Sequence, residues 1–172
     1  RAGRALPRLL AAFAWLAAAA LVPAAAQRPV SLNVPVLAAT SDNARDVLAR
    51  VRPSLIQIKG YFGTNTAHAF HGTGFAAAEG GAFLTNYHVI AQKVQHPDKY
   101  RLEYRTPDGK TGAVEVVAVD VRHDLALVRA ANHAPPPMKL MTSEPAKGER
   151  AYSVGFPLDV GLTITEGVSN GK

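Results

Sequence analysis

A histidine and an aspartate 36 residues apart are the side chains best placed for proton-transfer chemistry. His88 stands just past the end of the β-prone run at residues 82–86, and Asp124 opens the apolar run at residues 125–128. A histidine alone at such a place is about as often structural or solvated as it is functional. Its use as a general base requires an acceptor on the far ring nitrogen, and an aspartate can be that acceptor. The two residues are therefore a candidate catalytic pair.

Short antiparallel strands are the elements that must position this pair. Two β-prone runs, residues 72–77 and 82–86, flank Glu79-Gly80-Gly81, whose glycines supply the positive φ of a tight hairpin turn. The other predicted strands are residues 54–59, 100–105, 113–119 and 125–130. Leucine and valine make the last of these apolar enough to be buried on both faces. Six strands without a long helix predict an all-β, closed antiparallel barrel with the pair at one rim.

Only short helical segments are expected. Ser41-Asp42-Asn43 can cap a short helix that runs through Arg52 and is stopped by Pro53, and residues 89–91 form a short helical turn. The apolar face of the first helix, predicted to lie against the barrel, consists of Val47, Leu48 and Val51.

The segment at residues 61–71 is interpreted as a solvated loop. It contains His68 and His71, which have the spacing of metal ligands but no third ligand nearby. Since structural zinc sites use four ligands, no metal site is predicted there.

Five short motifs resemble one known family. They are Gly-Thr-Gly-Phe at residues 72–75, Leu-Thr-Asn-Tyr-His-Val-Ile at 84–90, Asp-Leu-Ala-Leu-Val at 124–128, Val-Gly-Phe-Pro at 154–157 and Thr-Ile-Thr-Glu-Gly-Val at 163–168. In this order and spacing, from about residue 51 to the end, the sequence resembles the trypsin-like serine peptidases, most closely the bacterial HtrA/DegP-type branch. The resemblance implies a double six-stranded antiparallel β-barrel, here the first barrel plus the start of the second.

The resemblance also assigns roles to the candidate pair. It implies that His88 is the general base and Asp124 its orienting acid, in preference to Asp120, which valines flank on both sides. In this family the nucleophilic serine comes from the second barrel, and no Gly-Asn-Ser-Gly or Gly-Asp-Ser-Gly occurs in the sequence. The serine is therefore expected beyond Lys172. Ser169 lies in a Gly-x-Ser-x-Gly pattern, but the helix that a nucleophile elbow needs does not follow it.

The functional prediction is an exported serine endopeptidase that acts on polypeptides and needs no cofactor or metal. Without the serine, residues 1–172 are expected to be inactive alone. The alternative is a non-catalytic binding module of the same fold that has lost the serine; a cysteine in its place is a third possibility. Sequence beyond Lys172 distinguishes these readings.

Composition and segment boundaries complete the prediction. Residues 1–26 read as a signal peptide, with arginines, then an apolar run, then alanines before Gln27. An uncleaved membrane anchor is the alternative. Without this segment the net charge falls from +6 to +3 and basic residues are scattered, so no nucleic-acid partner is predicted. The absence of cysteine excludes disulfides and suits a periplasmic or secreted protein held by packing alone.

The remaining segments follow in order along the chain. They are an N-terminal arm and short helix at residues 27–53, the first barrel at 54–131, an inter-barrel linker at 132–149, and the first strands of an incomplete second barrel at 150–172.

Overall fold

A computed structural model gives the structure of residues 41–171. This part of the chain forms eight β-strands, two α-helices and two short 3₁₀ helices, so the predicted all-β class is confirmed. The predicted signal peptide, residues 1–26, and the predicted arm at residues 27–40 lie outside the described residues. Between residues 41 and 171, no helix combines the length and the hydrophobicity that a membrane span requires.

Six strands close into the predicted antiparallel barrel. They are β1 (Leu55–Phe62), β2 (Phe70–Ala78), β3 (Ala82–Thr85), β4 (Tyr100–Arg105), β5 (Thr111–Asp120) and β6 (Leu125–Ala130). Their order around the barrel is β1-β2-β3-β6-β5-β4, and β4 pairs with β1 to complete the circle. Closure pairs both edges of every strand, which gives the site a rigid support.

Side chains from several strands and one helix fill the barrel. Ile56 and Ile58 of β1, Phe83 of β3 and Val128 of β6 are fully buried there, together with Ile90 of the helix that follows β3. Each fully buried side chain of this kind stabilises the fold by about 1.5–3 kcal/mol through its removal from water. The interior is thus a packed core rather than a channel.

Strand β6 has one buried face, so the prediction that both its faces are buried was wrong. Ala126, Val128 and Ala130 point into the core, whereas Leu125 is 43% exposed and Arg129 faces solvent. A strand of a small antiparallel barrel has the core on one side only, and period-2 alternation follows. The leucines at alternate positions concealed this alternation in the sequence.

Three other elements are longer than predicted. The loop expected at residues 61–71 shrinks to residues 63–69, because β1 and β2 extend to Phe62 and Phe70. The rings of both phenylalanines lie against Tyr100, at centroid distances of 5.3 and 5.6 Å. The helical turn at residues 89–91 is a nine-residue helix, α2 (Tyr87–Gln95). Ile90 and Val94, one turn apart, pack it onto the core.

The first helix, α1 (Asp42–Val51), is capped as predicted, since the hydroxyl oxygen of Ser41 accepts a hydrogen bond from the Ala44 N–H at 3.1 Å. Its main contacts are with the hairpin of β7 (Arg150–Gly155) and β8 (Thr163–Val168), whereas the sequence predicted packing on the barrel. The Ser41 hydroxyl also donates to Glu166 of β8 at 2.7 Å. A 3₁₀ helix (Arg52–Ser54) then leads into β1.

The β7–β8 hairpin is held against the barrel by its own loop. Phe156 donates its main-chain N–H to the Thr73 hydroxyl of β2 at 3.0 Å. A β-carbon at Gly155 would lie 2.7 Å from that hydroxyl, so only glycine permits this approach. The loop continues as a 3₁₀ helix (Pro157–Asp159), and residues 131–149, which join the barrel to the hairpin, contain neither helix nor strand.

Candidate active site

His88 is placed by the first turn of α2, directly after β3. The buried side chain of Ile90 anchors this turn to the core, while the side chain of His88 remains 70% exposed. Strand β2 lies so close to the helix that a β-carbon at Gly72 would stand 2.5 Å from Val89. The imidazole is thus carried into solvent by a helix whose distance from the barrel is fixed.

Asp124 lies in the turn between β5 and β6, in the left-handed backbone conformation with φ of 55°. That conformation is uncommon for a residue other than glycine and persists where surrounding contacts hold it. One such contact is the Tyr87 N–H, which donates to the Asp124 carbonyl at 3.1 Å. The turn is therefore tied to the start of the helix that carries His88.

The structure brings these two predicted residues into direct contact. The Nδ1 atom of His88 lies 2.7 Å from Oδ2 of Asp124, and the His88 main-chain N–H donates to Oδ1 at 2.9 Å. Each carboxylate oxygen thus binds a different donor of the same residue. With Nδ1 occupied, Nε2 is the ring nitrogen left to exchange a proton with another molecule.

These hydrogen bonds favour the charged carboxylate. The His88 main-chain N–H, followed by the imidazole, lowers the pKa of Asp124 below its ordinary value. The aspartate side chain is 45% exposed, so water weakens the attraction between the two groups. The arrangement can hold an imidazole in one orientation and stabilise its protonated form, which is what a general base requires.

Asp120 pairs with a different histidine. Its carboxylate accepts from the His123 main-chain N–H at 3.1 Å and lies 2.6 Å from Nδ1 of the same ring. The bond to the His123 side chain is the main cause that lowers the pKa of Asp120. This second pair spans three residues and does not line the cleft beside His88, so it resembles the first in local geometry alone.

An open cleft of about 460 Å³ lies beside His88. Its barrel wall consists of His71, Gly72, Thr73, Asn86, His88 and Val89, and its hairpin wall of residues 153–157, Thr163 and Thr165. The walls carry hydroxyls and main-chain groups, so the cleft is polar enough to hydrogen-bond an extended peptide. Among residues 41–171, no three histidine or acidic side chains are arranged to hold a metal ion.

Two polar residues that hydrogen-bond to distant parts of the chain were not identified from the sequence. Asn86, within the histidine motif, donates its amide to Asp124. Asp159 receives Gln57 at 2.7 Å and the Lys59 ammonium at 2.8 Å, and His68 lies 3.6 Å away. A local signal existed for Asn86, since it stands two residues before His88 in the same motif. None existed for Asp159, because its partners lie about a hundred residues earlier.

Two other residues singled out in the sequence lie elsewhere. His68 is in the loop between β1 and β2, and its ring meets that of His71 edge to face at 5.3 Å. Ser169 follows β8, and its N–H donates to the Glu149 carbonyl at 2.7 Å. It continues the pairing of the hairpin, as expected for a strand end.

Known proteins resemble this chain in sequence and fold. It is 29% identical over 129 residues to serine protease HTRA1 of Xenopus laevis, with 72% of this chain and 27% of that protein aligned. It is 33% identical over 131 residues to mitochondrial serine protease HTRA2 of Drosophila pseudoobscura pseudoobscura, covering 72% of this chain and 30% of the relative. The chain therefore spans less than a third of the length of these relatives.

The fold comparison agrees with the sequence comparison. The crystal structure of Deg5 superposes with a TM-score of 0.63 at 24% identity, covering 74% of this chain and 62% of that one. This likeness confirms the trypsin-like barrel fold that the closed six-stranded antiparallel sheet forms. Residues 72–172, more than half of the chain, match the family model of the trypsin-like peptidase domain. The chain therefore belongs to the trypsin-like peptidase family, as its sequence motifs predicted.

Proposed function

We propose that this protein is a serine endopeptidase in which His88 is the general base and Asp124 orients it. The observation that carries the proposal is the 2.7 Å contact between His88 Nδ1 and Asp124 Oδ2 at the edge of an open cleft. The serine proteases among its relatives support the reaction class. We place the nucleophilic serine in the second barrel, after Lys172.

The reaction proceeds through the atoms that the site leaves free. The serine hydroxyl attacks a peptide carbonyl while Nε2 of His88 accepts its proton, and Asp124 stabilises the resulting imidazolium. The same proton then passes to the leaving amine, and water repeats the sequence on the acyl-enzyme. Main-chain N–H groups beside the serine stabilise the oxyanion, a contribution of about 3–4 kcal/mol per donor.

The domain arrangement that we propose follows the segments of the sequence. Residues 54–131 form the first barrel, residues 132–149 the linker, and residues 150–172 the start of the second barrel. The cleft between barrel and hairpin then takes an extended polypeptide substrate, with His88 on one wall.

We also propose that the protein is exported to the periplasm or the medium. The proposal rests on the signal-peptide pattern of residues 1–26, in which basic residues, an apolar run and small residues follow one another, with cleavage before Gln27. N-terminal sequencing of the protein from a fractionated bacterial host tests this. A mature chain beginning at Gln27 is expected, and retention of residues 1–26 in the membrane fraction would favour an uncleaved anchor.

Active-site labelling of the full-length protein tests the enzymatic proposal. A fluorophosphonate probe reacts with a serine that an adjacent base activates, so the wild-type protein should be labelled at one serine. His88→Ala should abolish labelling, whereas the matched control His123→Ala should retain it. A folded wild-type protein in which no serine is labelled would contradict the serine-peptidase proposal and favour the binding module or the cysteine nucleophile.

A further inference from the structure

Asn86 makes two contacts with Asp124. Its side-chain Nδ2 lies 3.1 Å from the Asp124 carbonyl oxygen and 3.2 Å from the carboxylate oxygen Oδ2. Both atoms of Asp124 are acceptors, so the group that faces them must be the NH₂ of the amide rather than its oxygen. One side chain thus binds the main chain and the side chain of the same aspartate.

The position of Asn86 in the fold makes this use of its side chain informative. It is the N-cap residue of α2, where an asparagine ordinarily accepts a hydrogen bond from an N–H of the first helical turn. Here the side chain makes no cap bond. The first two N–H groups of the helix, those of Tyr87 and His88, donate to Asp124 instead, and the Asn86 amide is directed at the same aspartate.

Asp124 has a conformation that needs such support. Its backbone is left-handed, with φ of 55°. Because its side chain is 45% exposed, packing alone does not hold the carboxylate in one orientation. A donor that reaches both the carbonyl and Oδ2 fixes the side-chain rotation relative to the main chain. The oxygen it reaches, Oδ2, is also the one that binds Nδ1 of His88.

We propose that Asn86 is a positioning residue that holds the Asp124 carboxylate in place for His88. The proposal deepens the proposed function and rests on it for its catalytic consequence. Both side-chain hydrogen bonds of Asn86 go to Asp124, so it acts on His88 through that aspartate. Its hydrogen bond is also among the contacts that lower the pKa of this carboxyl.

Two substitutions separate positioning from helix capping. Asn86→Asp keeps the shape and is as good an N-cap, so a residue needed only for the helix would tolerate it. Asn86→Ser also caps a helix but is too short to bridge both acceptors. If Asn86 positions Asp124, the new carboxylate of Asn86→Asp repels the existing one. Both variants should then raise the pKa of Asp124, and Asn86→Asp should raise it more.

The pKa of Asp124 is measured by ¹³C NMR titration of its carboxyl in the 172-residue chain, alongside amide exchange in α2. We expect a raised pKa of Asp124 in both variants with α2 still protected. Asn43→Asp, the same change on the exposed helix α1, should leave the pKa of Asp124 unaltered. An unchanged pKa of Asp124 in Asn86→Asp and Asn86→Ser would overturn the proposal.

The catalytic arm uses the full-length protein. Loss of one hydrogen bond to a charged group predicts a kcat lowered by about 10- to 100-fold in Asn86→Ser, with KM little changed. An unchanged kcat in an active enzyme would contradict the positioning role and leave the proposed function standing. If the wild-type protein has no activity, the proposed function fails, and the titration still decides whether Asn86 holds Asp124.

Discussion

Asp124 binds His88 at two points, through the main-chain N–H on Oδ1 and through the imidazole on Oδ2. The first contact locates the aspartate relative to the start of α2, and the second orients the ring on the same residue. Because both donors belong to His88, the ring cannot turn without breaking the second bond while the first still holds the carboxylate. The pair is therefore oriented by the barrel and α2, before any substrate arrives.

The two histidine–aspartate pairs should titrate independently. Removing the ring in His88→Ala should raise the pKa of Asp124 toward its ordinary value and leave Asp120 unchanged, since Asp120 takes its main stabilising bond from His123. His123→Ala should do the reverse. Carboxyl ¹³C titration of both variants checks this. The prediction is wrong if either substitution moves both aspartates equally.

The distance between β2 and α2 should control the contact between His88 and Asp124. Gly72→Ala places a methyl group 2.5 Å from Val89, so we expect a loss of about 1–3 kcal/mol in the free energy of unfolding. The displaced helix should weaken the contact of His88 with Asp124 and raise the pKa of that aspartate. Urea denaturation and carboxyl titration measure the two effects.

Two further variants act as controls for this steric prediction. Val89→Ala in the Gly72→Ala background removes the clashing methyls and should restore the titration of Asp124. Gly167→Ala adds its methyl in open space and should have little effect on either measurement. Equal behaviour of Gly72→Ala and Gly167→Ala would show that the close approach is unimportant.

Asp159 should fasten the hairpin to the barrel in a pH-dependent way. The Lys59 ammonium and the Gln57 amide lower its pKa to about 2, against about 3.9 in an unfolded chain. A lowered folded-state pKa adds stability above the unfolded value, and this is lost as the pH falls from about 4 through 2. Asp159→Asn should therefore speed amide exchange at Phe156 at pH 5, relative to wild type.

The difference between Asp159→Asn and wild type should shrink as the pH falls from about 4 to about 2, where about half of the native carboxyl is protonated, and it should vanish only below that pH. Asp98→Asn, in the turn before β4, is the matched control and should exchange at the wild-type rate at both pH values. If Asp159→Asn changed amide exchange at Phe156 equally at both pH values, the charge of the carboxylate would not be what holds the hairpin.

The barrel was predictable because its strands alternate apolar and polar residues and end in recognisable turns. Tyr100–Arg105 alternates and ends in a turn, and the structure gives it the predicted bounds. The packing of α1 on the β7–β8 hairpin was not predictable in this way. A helix pattern shows which face is apolar, but it does not show which element covers that face.

The two main residues of the candidate site were predictable from the sequence, but their polar partners were not. His88 and Asp124 stand in motifs at strand ends, so the sequence indicates both residues, and the structure places them in contact. The bonds from Asn86 to Asp124 and from Gln57 to Asp159 join residues far apart in the chain. Such contacts depend on the closed fold and leave no periodic signal. Polar partners of a site therefore require the structure.

Turnover of a peptide substrate by the full-length protein tests the central claim, that Asp124 makes His88 a general base. Asp124→Asn keeps the size of the side chain but removes the acceptor that fixes the imidazole, so kcat should fall by about 10⁴. Asp120→Asn makes the same change in the pair that lies away from the cleft, and its kcat should stay within a few-fold of wild type. Equal activity in Asp124→Asn and Asp120→Asn would contradict the account.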